Sequence, residues 1–239
     1  MTCQARHHGN CVSDELPDLI PGVPYDRPGD PEFGAALVDA IKWHGLLAGR
    51  NETPHYKWDY GTFVPLQYLD PAERIPVVTM GTCILADLDE CYRVGQAVRD
   101  AAEGSGKRVV FVASSALSHR LVRNPAAWPL AEHRALDRQF VAMLEGVRLG
   151  EARRFLDGYA KETSVEMGGR NIASFLGAGW SGPPVWGRVR RVRAVLGCRA
   201  YEFRGCGGIN KTVFPAAGRD PLACAFEPWT RAFAGKMVS

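Results

Sequence analysis

The stretch Phe111-Val-Ala-Ser-Ser-Ala-Leu-Ser-His119-Arg120 constrains this chain more than any other. Arg108 to Val112 is almost wholly apolar and β-branched, which predicts a strand buried on both faces. It gives way to the small residues Ala113 to Ala116, then to Ser118-His119 where the strand should end. In open α/β sheets, ligands gather in the crevice outside the carboxyl ends of the strands. Small residues there let a ligand approach the backbone, and an imidazole above them can give or take a proton. Read alone, the same pair is a helix-capping Ser118 beside a surface histidine. The rest of the chain decides between the two.

Ile75 to Cys83 reads as a second buried strand, with Pro76 near its start where a missing donor is tolerated. Leu88 to Glu103 is amphipathic, with Leu88, Cys91, Val94, Gly95 and Val98 on one face, and Gly104 and Gly106 stop it. Strand, helix and strand predict one right-handed crossover of a parallel sheet. Upstream, Pro31 to Leu47 is helical behind Asp30 as cap, with His44 in its last turn. Met1 to Asp30, rich in Pro, Gly, Asp and Asn, is expected to be irregular, with His7 and His8 in a solvated loop. Asp59 to Thr62 is turn chemistry capped by Thr62, and Pro65 can begin a short helix to Leu69. Trp58, Phe63 and Leu66 fit either core or the wall of a small aromatic pocket.

Beyond His119, Leu130 to Leu149 predicts a long helix whose polar face holds His133, Arg134, Asp137 and Arg138, the last two a solvated face or a local ion pair worth little energetically. Helices follow at Glu151 to Tyr159 or Ala160 and at Asn171 to Leu176. Arg188 to Phe203 reads as an exposed edge strand, since Arg190, Arg191 and Arg193 blunt edge pairing. Gly205-Cys-Gly-Gly208 lacks the spacing and helix of a dinucleotide fingerprint, and Thr212 to Pro215 is a last short strand. The pattern predicts an α/β fold: a mostly parallel central sheet flanked by helices, in a single domain.

Composition narrows the partners. With 29 basic and 26 acidic residues the net charge is +3, which gives no reason to expect nucleic acid or an anionic membrane. No apolar run is long enough to span a bilayer. Seven cysteines without CxxC spacing indicate neither a zinc ribbon nor a disulfide framework, so a reducing cytoplasm is expected.

Several segments, in this order, resemble the class III (LigB-type) extradiol ring-cleavage dioxygenases, in their homoprotocatechuate and 2-aminophenol branch. They are Glu15-Leu-Pro17, Asp59-Tyr-Gly-Thr-Phe-Val-Pro65, Ala113 through Arg120, Gly177-Ala-Gly-Trp180, and Glu202 followed by Gly207 through Pro215. The resemblance implies a LigB-like domain over residues 1–217 and a C-terminal tail over 218–239. It implies a non-haem Fe(II) enzyme of aromatic catabolism that opens a catechol or aminophenol ring with O2, held in homo- or hetero-oligomers. In that family two histidines and a glutamate hold the iron, and Glu202 matches the glutamate. His119 matches a histidine outside the metal ligands that takes a proton from the substrate. Tyr60 matches a position set against the substrate oxygen, and Thr62, Pro65 and Ser118 join it on the substrate-binding side. A carboxylate on the substrate could meet Arg120 or Arg123.

The family's two iron histidines lie in its opening strand-helix-strand unit. Met1 aligns just beyond that unit, and His7 and His8 match neither position. The expectation is therefore an N-terminally truncated domain that holds Fe(II) weakly, with ring opening dependent on residues outside this chain. The alternative is a non-catalytic or degenerate metal-free subunit that stabilises a catalytic homologue. A third reading is a small-molecule binding module that reuses the aromatic pocket without iron.

Overall fold

A capping box opens the helix around which the chain is arranged. The Asp87 carboxylate accepts from Glu90 N at 2.7 Å, and the Glu90 carboxylate accepts from Asp87 N at 2.9 Å. In the computed structural model, which describes residues 1–11, 22–53, 56–120, 130–179 and the backbone of 192–197, this helix is the third of six. The described elements are β1 (Arg6–Cys11), β2 (Val23–Pro28), α1 (Pro31–Trp43), α2 (Tyr60–Leu69), α3 (Leu88–Ser105) and β3 (Val109–Ser114). They continue with α4 (Ala131–Glu145), α5 (Leu149–Thr163), a 3-10 turn at Glu166–Gly169, α6 (Arg170–Ala178) and β4 (Val192–Gly197).

One face of α3 meets α6 backbone to backbone. A Cβ on Gly95 would stand 1.9 Å from Ser174 O, and one on Gly177 would stand 1.9 Å from Tyr92 O. Ser174 Oγ donates to Cys91 O at 3.0 Å across the same contact. Around it lies the main core: Cys91 from α3, Leu117, Phe140 and Met143 from α4, Leu156 and Tyr159 from α5, Ile172 and Leu176 from α6. The other face of α3 packs Val98 and Ala102 against Phe33 and Leu37 of α1 and against Val109 and Phe111 of β3. Helix α1 starts as expected, with Phe33 N donating to the Asp30 carboxylate at 2.9 Å and Pro31 in its first turn.

Several expectations about the frame are met in part or need correction. First, a mostly parallel central sheet is not seen among the described residues. They hold one antiparallel pair, β1 with β2 in register Arg6↔Pro28 to Cys11↔Val23, and one parallel pair, β3 with β4 in register Val109↔Val192 to Ser114↔Gly197. Met1 to Asp30 is thus a hairpin in its described parts rather than irregular; its prolines hid a strand pattern whose partner lies on the same short segment. Second, Ile75 to Cys83 forms no strand, so it does not make the predicted crossover with β3. Val77 bridges Gly29, and Thr2 N donates to Thr79 O at 3.0 Å. Pro76 removes one donor, and the neighbours are single residues of the N-terminal segment rather than a ladder.

Third, β3 is not fully buried on both faces. Val109 and Phe111 face α1 and α3, whereas Val110 points away and is 48% exposed. Fourth, α2 begins at Tyr60 rather than Pro65, because Asp59, not Thr62, is its cap and accepts from Thr62 N at 2.8 Å. Pro65 sits inside the second turn.

His7 also departs from expectation. Alternation along β1 turns His8 outward and His7 inward, where it is 4% exposed and its Nε2–H donates to Val77 O at 2.9 Å. Burial lowers its pKa, and the hydrogen bond to Val77 opposes that only in part. Arg27 of β2 is wholly buried, donating to Asp70 O at 2.9 Å, to the Asp70 carboxylate at 3.1 Å and to Leu66 O at 3.2 Å. It fastens the hairpin to the end of α2. No helix among the described residues is long and apolar enough to cross a membrane.

Candidate active site at the end of β3

Strand β3 ends at Ser114, and the chain then turns through Ser115, Ala116, Leu117 and Ser118, all buried, to a half-buried His119. Leu117 drives into the main core and sets the depth of the loop. Its backbone is held from three directions. Ala116 N donates to the Glu166 carboxylate at 2.5 Å, Ser118 N to the Asp137 carboxylate at 3.2 Å, and His119 N to Thr163 O at 3.1 Å. The anchors belong to the 3-10 turn, to α4 and to the end of α5.

Asp137 is the residue that sequence reasoning missed. It is 7% exposed rather than solvated, and its carboxylate accepts from Ser118 Oγ at 2.7 Å and from the Tyr159 hydroxyl at 2.5 Å, besides Ser118 N. The signal was present in the spacing: His133, Asp137 and Phe140 lie at i, i+4 and i+7, one buried stripe of α4. Polar residues disguised that stripe as a solvated face.

The turn behind the loop is conformationally costly. Ser164 and Met167 have positive φ of 53° each, followed by Gly168 at 62° and Gly169 at 83°. Left-handed non-glycine residues cost of order 1 kcal/mol or more each, and such strain gathers at functional sites. Here it lets Thr163 O and the Glu166 side chain both reach the His119 loop. On the near side, Asn171 Nδ2 donates to Ser114 O at 2.8 Å while its Oδ1 accepts from Thr82 Oγ1 at 2.5 Å, closing the strand end against residues 81–83.

Of the expected substrate-side residues, Tyr60, Thr62 and Pro65 are half-buried on α2, which lies against β3. Trp58 and Phe63 are core rather than pocket wall: Trp58 stacks on Tyr25 with ring centroids 4.6 Å apart, and Phe63 packs beside them. Ser118 turns its hydroxyl to Asp137. Arg120 is exposed and donates from Nε to Ser164 Oγ at 3.2 Å. Glu202, Arg123, Trp180, Glu15 to Pro17 and the tail 218–239 lie outside the described residues. Among the described residues no group of three His, Cys, Asp or Glu is placed to hold a metal, and Cys3, Cys11, Cys83 and Cys91 are free thiols.

The braced loop thus brings a histidine to the carboxyl end of a strand, the place where ligands gather in open α/β sheets. The family described as "Catalytic LigB subunit of aromatic ring-opening dioxygenase" matches residues 2–195, and the chain belongs to it. It is 30% identical over 128 residues to a 3,4-dihydroxyphenylacetate 2,3-dioxygenase of Escherichia coli, covering 53% of this chain and 46% of that protein. It is 33% identical over 118 residues to a 2-aminophenol 1,6-dioxygenase beta subunit of Pseudomonas sp, covering 46% of this chain and 38% of that protein. The chain thus spans less than half the length of either relative.

Proposed function

We propose that this protein acts in extradiol cleavage of an aromatic diol or aminophenol by O2, with His119 as the proton-transfer residue. The observation that carries the reading is the Ser118-His119 pair, delivered to the end of β3 on a loop held at three backbone N–H groups inside the family-matched region. The names of both relatives, a dioxygenase of a dihydroxyphenyl acid and one of an aminophenol, support the substrate class. They favour an enzyme over a metal-free stabilising subunit.

Iron(II), with Glu202 as one proposed ligand, would supply the binding of O2 and of the ring's adjacent oxygens. The described residues do not themselves form such a metal site. What they do is hold and move a proton. His119 Nδ1 is covered and makes no hydrogen bond among the described residues. Nε2 is the proposed atom that meets a substrate hydroxyl, accepts its proton and returns it to the departing oxygen. Tyr60, Thr62 and Pro65 of α2, a helix in contact with β3, are the proposed substrate-side residues, together with Ser118, whose hydroxyl is held by Asp137.

In the same reading, the parallel β3–β4 pair is part of a mostly parallel central sheet within a domain of residues 1–217. The free thiols suit the cytoplasm, and a relative that is a beta subunit suits assembly into homo- or hetero-oligomers.

The test is O2 uptake by the protein supplied with Fe(II) and either 3,4-dihydroxyphenylacetate or 2-aminophenol, with iron content measured in parallel. His119→Phe should keep its iron and its diol binding while losing about 100-fold or more in turnover. Turnover that survives His119→Phe refutes the role of His119. Iron-loaded protein that opens neither ring refutes the function.

A further inference from the structure

We propose that Asp137, on α4, is the positioning residue of His119 and acts through Ser118. The inference rests on the reading of His119 as the proton-transfer residue, and it assigns the structure that aims it. Asp137 Oδ1 accepts from Ser118 N and the Tyr159 hydroxyl, and Oδ2 accepts from Ser118 Oγ. It thus accepts from both hydrogen-bond donors of the residue immediately before His119.

Its neighbours make the grip rigid. Tyr159 lies against Phe140 at 5.1 Å and Phe155 at 5.6 Å between ring centroids, so the hydroxyl that meets Asp137 is itself set by packing. Ala116 and His119 are fastened by their own N–H groups to Glu166 and Thr163. With Ser118 held between them, the main chain entering His119 is pinned at three of four consecutive residues. The imidazole can then move only about its own side-chain torsions.

Two of the three hydrogen bonds that Asp137 accepts come from the loop residue Ser118, and the third comes from the tyrosine packed between α4 and α5. Its loss would leave those buried donors without their acceptor and release the loop from the core. A carboxylate is explained if it must fix a particular loop geometry. Misplacing a reacting group by about 1 Å can cost on the order of 100-fold in rate.

The experiment uses protein labelled with 15N-histidine, with the His119 ring signals assigned by their loss in His119→Gln. Asp137→Ala should shift or broaden the His119 ring signals while those of His7 and His44 stay in place. Asp137→Asn, which keeps the shape and one acceptor oxygen, should fall between Asp137→Ala and the parent protein. The control is Leu176→Ala, which loosens the same core from α6 without touching the loop anchors; it should leave the His119 signals unmoved. If Asp137→Ala does not fold, Asp137→Asn and Tyr159→Phe carry the same comparison. In protein that opens an aromatic ring, Asp137→Ala should lower kcat by about 10- to 100-fold with little change in KM.

His119 signals that match the parent protein in every folded Asp137 variant, or that move as much in Leu176→Ala, overturn the proposal. If the signals move as expected but the parent protein opens no ring, the positioning of His119 stands and the ring-cleavage reading fails.

Discussion

The contact between α3 and α6 predicts that one substitution, made twice in the same helix, has opposite signs. Gly104 lies near the end of α3 with nothing within 4 Å of an added Cβ, whereas the Cβ of an alanine at 95 would meet Ser174 O at 1.9 Å and Ala178 N at 2.6 Å. Alanine is favoured over glycine within a helix by about 1 kcal/mol, so Gly104→Ala should stabilise by roughly 0.5–1 kcal/mol. At Gly95 the same gain is outweighed. A carbon needs about 3.3 Å from a carbonyl oxygen, so α6 must withdraw by more than about 1 Å. Such a gap forfeits a quarter to a half of the dispersion energy along the contact, and overpacking of this kind costs about 3 kcal/mol or more. Buried Cys91, Ile172, Ala173 and Leu176 all share that contact region. Net destabilisation of about 2 kcal/mol should lower the melting temperature by roughly 4–8 °C, against a rise of roughly 1–4 °C for Gly104→Ala. Thermal unfolding followed by circular dichroism measures both. Gly177→Ala should behave like Gly95→Ala, and the double variant should lose less than the sum because the two share one interface. A Gly95→Ala protein that melts at or above the parent would refute the backbone-to-backbone packing of α3 on α6.

Two further outcomes follow from the N-terminal half. Asp70→Asn should destabilise by about 2 kcal/mol in urea unfolding, because it leaves the wholly buried Arg27 guanidinium with the Glu73 carboxylate, at 3.5 Å, as its remaining ion-pair partner among the described residues. No measurable loss in Asp70→Asn would show that the charge pair does not matter there. Burial holds His7 below its ordinary pKa of 6.5, so at low pH the unfolded chain binds a proton that the folded one resists. Its contribution is fully present above about pH 6.5 and fades as pH falls from there through the lowered folded value. Urea midpoints measured from pH 7.5 down to 5 should fall less steeply in His7→Phe than in the parent; parallel slopes would refute the burial of a neutral imidazole.

Local pattern carried far in this protein. Spacing within single segments predicted α1, α3, α5 and α6, the Asp30 cap and the strand that runs into Ser118-His119. The motifs around Gly61-Thr62 and Ser118-His119 carried the family resemblance, and the family match to residues 2–195 agrees with it. These features are legible because a helix period, a cap or a motif is complete within a few neighbouring residues. Where a partner lies far along the chain, local pattern misled. Asp137 looks solvated in the sequence because its stripe on α4 is polar, and hydrogen bonds from Ser118 and Tyr159, 19 and 22 residues away, make its burial tolerable. His7 reads as a loop residue in the sequence because its acceptor, Val77, is 70 residues distant. The chain's own order of residues therefore determined which elements exist and what chemistry they can bear. The tertiary structure alone decided which polar groups are buried, since burial of a polar side chain is stable only when folding brings it a hydrogen-bond partner.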